Sequence, residues 1–122
     1  LLRPLVDAGV DVIHASNRRF WEPEFEGSNL NLAGWTKKIT GLPTITVGSV
    51  GLESDFIGFY QGEDEVKSAP IDDLVKRMDD KEFDMVAVGR ALLSDPEWVN
   101  KVKEGRYDEV IPFSKKHAEN YY

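Results

Sequence analysis

The chain has 122 residues, 41% apolar and 30% charged, the proportions of a folded domain rather than a disordered segment. Its 15 Lys and Arg face 22 Asp and Glu, a formal net charge of -7, and its basic pairs are scattered, which argues against nucleic acid as a partner. The absence of cysteine excludes disulfides, thiolate metal sites and Cys nucleophiles, and no apolar run approaches the ~20 residues needed to cross a bilayer.

No secretory signal pattern is present, so a cytoplasmic location without a membrane partner is expected. The sequence begins Leu1-Leu2-Arg3-Pro4 without an initiator Met, as a piece of something longer would.

In chain order, Leu2 to Ala8, closed by Gly9, reads as the tail of a helix. The apolar run from Val10 to Ala15 follows as a first strand and leads into Ser16-Asn17-Arg18. Leu32, Trp35 and Ile39 then recur at helical spacing, with Gly41 and Pro43 as stop signals. Thr44 to Val47 is a second strand, leading into Gly48-Ser49-Val50-Gly51.

Phe56 to Tyr60 fits a short helix, and Gly62-Glu63-Asp64-Glu65 an exposed acidic loop. Ile71, Leu74, Val75 and Met78 predict another helix, with Pro70 at its first position and Asp72-Asp73 near its positive end. Asp84 to Val88 is a third strand, followed by Gly89-Arg90. A last helix is expected with Asp95 as N-cap, Pro96 at its first position and Gly105 after its end.

Helices alternating with short β-branched strands imply an α/β fold with a parallel sheet built from βαβ crossovers. Three such units are less than half of a (β/α)8 barrel of ~250 residues, so the chain is expected to be a single partial barrel over residues 1–122.

Ligands of such folds sit at the carboxyl ends of the strands. Here Gly48 and Ser49 follow one strand and Gly89 and Arg90 the next. Glycine lets backbone N–H groups approach an anion, and the arginine fork suits phosphate. Neither a Walker loop nor Gly-x-Gly-x-x-Gly is present.

His14 is read as a packed structural histidine. With only His14 and His117 no histidine-rich metal site is available, and Glu22, Glu24 and Glu26 read as a solvated loop. Arg18-Arg19-Phe20-Trp21 could bind and stack on an anion or simply bury its aromatics, while Trp35 and Trp98 are expected in the core.

Several segments resemble bacterial members of the old yellow enzyme family. They are Arg18-Arg19-Phe20-Trp21-Glu22-Pro23-Glu24-Phe25, Leu30-Asn31-Leu32-Ala33-Gly34-Trp35-Thr36 and Pro43-Thr44-Ile45-Thr46-Val47-Gly48-Ser49-Val50-Gly51. The most specific is Val86-Ala87-Val88-Gly89-Arg90-Ala91-Leu92-Leu93-Ser94-Asp95-Pro96. The resemblance covers nearly the whole chain, but only the carboxyl-terminal third of the family's length, from the sixth barrel strand onward.

It implies an FMN-dependent (β/α)8 barrel that takes a hydride from NADH or NADPH and delivers it to a small activated alkene. It also implies that Gly48, Ser49, Gly89 and Arg90 hold the FMN phosphate. The family's substrate-binding and proton-donating residues lie upstream, so no catalytic residue is assigned here and the isolated chain is expected to be inactive. A homo-oligomer is compatible with this reading. The alternative is a non-catalytic phosphate-binding or partner-assembled half-barrel domain.

Overall fold

A computed structural model of the chain describes residues 1–52, 65–66, 71–114 and 116. The elements run α1 (Leu2–Asp7), β1 (Ile13–Ser16), α2 (Leu32–Thr40), β2 (Thr44–Val47), β3 (Glu65–Val66), α3 (Asp72–Asp79), β4 (Met85–Val86), α4 (Arg90–Ser94) and α5 (Trp98–Lys103), then a 3-10 turn (Tyr107–Glu109) and β5 (Phe113–Ser114). They divide into two compact units. One comprises Leu1–Gly48 with Asp72–Ala87, the other Ser49–Ile71 with Val88–Tyr122.

The first unit carries a three-stranded parallel sheet in the order β1-β2-β4, as the alternation of strands and helices predicts. Register pairs Ala15 with Thr46 and Thr46 with Val86 on one face, and His14 with Ile45 and Ile45 with Met85 on the other. The helix α2 packs on β1 and β2, and Ala15, Thr44 and Thr46 are buried. On the opposite face His14 and Ser16 are exposed, Ile45 is half-buried and Met85 retains 41% of its surface. His14 is therefore not the packed histidine expected: it lies on the face of β1 opposite Ala15 and is exposed.

Asn31 sets the entry into α2. Its backbone is extended, with φ -77° and ψ -176°, and its Oδ1 accepts the Gly34 N–H at 2.8 Å, which satisfies one orphan donor of the first turn. The same amide donates from Nδ2 to the Phe20 carbonyl at 2.9 Å and to Thr46 Oγ1 at 3.2 Å. Gly41 closes the helix in the left-handed region at φ 70°, as its position after Thr40 predicts. Asp72 and Asp73 lie in the first turn of α3 and Lys76 and Arg77 in its last, each complementing the helix dipole. Asp84 accepts from Lys37 Nζ and from the Thr44 N–H, linking α2 to the approach of β4.

In the second unit β5 pairs antiparallel with β3, a two-stranded sheet that the sequence pattern did not suggest. It also places Glu65 in a strand rather than in the acidic loop read from the sequence. The helix expected over Phe56–Tyr60, the rest of that loop and Pro70 lie outside the described residues. The final helix also differs from expectation. α4 ends at Ser94, and Glu97, not Asp95, stands at the N-cap of α5. Asp95 instead closes a turn by accepting the Glu97 N–H at 3.0 Å, across a proline that has no N–H to offer. Val50, Leu52, Ala91, Trp98, Val110 and Phe113 are the buried apolar residues of this unit.

Two outcomes are expected. Asn31→Ala removes a cap and strands the Phe20 carbonyl, and should cost about 2–4 kcal/mol in urea unfolding. Asn31→Asp keeps the cap but has no Nδ2 donor, and should still destabilise measurably. The exposed Met85 on the His14 face of the sheet and the β1 and β4 edges, outermost among the described strands, should make the chain associate with rising concentration. Sedimentation equilibrium checks this, and a strictly monomeric chain with a sharp cooperative melt would contradict it.

Candidate functional site

The carboxyl ends of the strands are where the sequence places its candidate residues, and each can be traced to its surroundings. Gly48, at the end of β2, is buried with φ 150°. A Cβ there would lie 2.7 Å from the Asn17 carbonyl oxygen and 3.0 Å from the Phe20 nitrogen. The loop after β1 thus runs directly over Gly48, and the Phe20 N–H donates to the Gly48 carbonyl at 3.0 Å. Close backbone approach alone demands glycine here. Nearby, Asn17 Oδ1 is buried with no hydrogen-bond partner among the described residues.

Ser49 and Arg90, 41 positions apart, are brought together in the second unit. The Arg90 Nη2 donates to Ser49 Oγ at 3.3 Å. Ser49 adopts φ 54°, a left-handed conformation uncommon outside glycine, Asn and Asp. The Arg90 guanidinium carbon also lies 5.8 Å from the centroid of the Phe113 ring, within cation–π range.

Gly89 precedes Arg90 and differs from Gly48. It is exposed, its φ is -109°, and a Cβ would meet nothing within 4 Å. Neither a positive φ nor a close neighbour among the described residues requires glycine there.

Asp95 anchors the end of α4, the helix that Arg90 begins. It is 2% exposed, yet its Oδ2 accepts from Lys101 Nζ at 2.7 Å and from the Ile111 N–H at 3.1 Å, while Oδ1 accepts the Glu97 N–H. Burial opposes its ionisation, but the bonds from Lys101, Ile111 and Glu97 outweigh it and hold the carboxyl below its ordinary range. Ser94 Oγ donates to the Ile111 carbonyl at 2.9 Å, so both backbone groups of Ile111 are held from the end of α4.

The first unit contains a separate polar cavity of about 320 Å³, lined by Asn29, Leu30, Asp73, Lys76, Arg77, Asp80 and Glu82. Arg77 crosses it, donating to Asp73 at 3.0 Å, to the Asn29 carbonyl at 3.1 Å and to the Trp21 carbonyl at 3.3 Å. Its donors are engaged by the protein, which makes it a strut. Burial pushes the Glu82 carboxyl up, partly offset by Arg77. None of the candidate residues lines this cavity.

Among the described residues no cluster of three His, Asp or Glu side chains is placed to hold a metal ion. No described helix is long and apolar enough to cross a membrane. Glu22, Glu24 and Glu26 are exposed, with Glu22 paired to Arg19 at 2.6 Å. Phe20 is buried edge-on to Trp21, and Trp98 is 5% exposed, so the core readings hold for both buried rings. Trp35 is only half-buried, between Phe25 and Lys38. Phe113 was not singled out from the sequence, since a lone aromatic near the end of a chain carries no spacing signal.

Acid should weaken the Asp95 anchor. With the folded pKa below the unfolded value of about 3.9, its contribution is complete above that value and is lost as pH falls through the folded one. Urea midpoints measured from pH 6 to pH 3 should therefore fall, and Asp95→Asn should be less stable at pH 6 and show a flatter profile.

No family model matches the chain. It is 35% identical, over 118 aligned residues, to a protein described as an NADH oxidase from Thermoanaerobacter brockii; the match covers 90% of this chain and 15% of that protein. The chain thus spans about 15% of the length of this curated relative.

Proposed function

We propose that this chain is the FMN phosphate-binding, carboxyl-terminal part of an NAD(P)H-dependent flavin oxidoreductase of the old yellow enzyme type. In this reading β1, β2 and β4 are roughly strands six to eight of a (β/α)8 barrel. The Arg90–Ser49 contact carries it: a guanidinium and a hydroxyl from the segments after successive parallel strands meet at 3.3 Å, where such barrels place a phosphate. The unobstructed backbone at Gly89, directly before the arginine, also supports it.

The residues present fit a phosphate. Arg90 would supply a bidentate cation, Ser49 a hydroxyl donor, and the Gly48 and Gly89 segments their backbone. The steric demand at Gly48 is met by the protein's own loop, so its part in binding would be through the backbone alone. When bound, FMN supplies hydride chemistry between a reduced nicotinamide and an activated alkene. The name of the relative supports NADH as the reductant. This chain's own share is to bind and orient the phosphate end, with the residues that touch the substrate lying elsewhere in the barrel. A cytoplasmic enzyme acting on small molecules completes the reading.

The test is flavin retention in the complete protein that carries this segment. Arg90→Ala should weaken FMN binding about 10- to 100-fold, the loss of one or two charge-assisted hydrogen bonds of roughly 1.5–3 kcal/mol. Arg90→Lys should recover only part, since a point charge lacks the planar fork. Riboflavin, without the phosphate, should bind the parent and the Ala variant alike. Unchanged FMN retention by the Ala variant would refute the assignment.

A further inference from the structure

We infer that Phe113 is a positioning residue for the Arg90 guanidinium, setting the pose in which it meets an anion; this rests on the phosphate reading above. Phe113 is 1% exposed and its ring centroid lies 5.8 Å from the guanidinium carbon. A ring contact differs from an ion pair in one decisive respect. The ring carries no formal charge, so it holds the guanidinium without neutralising the charge that a phosphate would meet. Ser49 Oγ adds a second, directional constraint at 3.3 Å. Together, ring and hydroxyl restrict a side chain that otherwise loses considerable rotamer freedom on binding.

The ring is itself placed from the helix that Arg90 begins. At the other end of α4, Ser94 Oγ donates to the Ile111 carbonyl at 2.9 Å, and Asp95 accepts the Ile111 N–H at 3.1 Å. Phe113 stands two residues beyond, in β5, which packs on α4 and pairs with β3. The arginine at the start of α4 and the ring beside it are therefore held by one short, cross-linked segment.

The experiment compares FMN with riboflavin in the complete protein that carries this segment. Phe113→Leu and Phe113→Met, which fill much of the space without a π face, should each weaken FMN binding about 3- to 10-fold and leave riboflavin unchanged. Phe113→Tyr, which keeps the ring, should retain FMN as the parent does. Equal losses of FMN and riboflavin, or failure of both the Leu and Met variants to fold, would assign Phe113 to packing and overturn the inference. Loss of FMN by Arg90→Ala but not by Phe113→Leu or Phe113→Met would overturn it while leaving the phosphate reading intact. Retention of FMN by Arg90→Ala would refute that reading, and the inference with it.

Discussion

One buried carboxamide holds the first unit together. Asn31 is fully inaccessible and spends three hydrogen bonds on three different parts of the chain: the first turn of α2, the Phe20 carbonyl in the loop after β1, and Thr46 in β2. Only a side chain with two donor hydrogens and an acceptor can do this, whereas Ser and Thr have one donor and ionised Asp none. The consequence reaches the strand end. With Phe20 fixed, its N–H closes on the Gly48 carbonyl, and the loop from Asn17 to Phe20 lies so near Gly48 that no side chain fits. A cap, a loop and a glycine are thus one packing problem.

The second unit solves the analogous problem with charge. Asp95 is buried after α4 and accepts from an ammonium and two backbone N–H groups, so its desolvation is offset by three donors. It aligns Ile111, and through it the approach of β5, with the helix that begins at Arg90. The side chain most suited to bind an anion therefore stands on a braced helix, and the brace is polar rather than a deep apolar core.

The glycines near the strand ends have different physical reasons, and the difference bears on function. Gly48 is compelled by its neighbours, and Gly51 is compelled too, with φ 74° and a Cβ position 2.8 Å from the Trp98 ring. Gly89 is compelled by nothing within 4 Å among the described residues. On the proposed reading, that room and the arginine that follows suit an anion.

Much of this was legible in the sequence because it depends on local periodicity. The strand at Thr44–Val47, the Gly41 end of α2 and the parallel order of the sheet follow from β-branched runs, a glycine stop and crossover length. Yet α2 buries Ala33 and Thr36 rather than the stripe of Leu32, Trp35 and Ile39 read from the sequence. The pairing of Glu65–Val66 with Phe113–Ser114 was not legible, since two-residue strands carry no period. Nor was the role of Asp95, whose sequence context looked like a helix cap until its partners proved to be Lys101 and Ile111. At the candidate site, residue types and strand-end positions singled out Ser49 and Arg90. Their meeting at 3.3 Å, the ring of Phe113 beside the guanidinium and the opposite circumstances of Gly48 and Gly89 were decided by the tertiary structure alone. These are contacts between residues far apart in the chain, and no local pattern encodes the distance between two ends that only folding brings together.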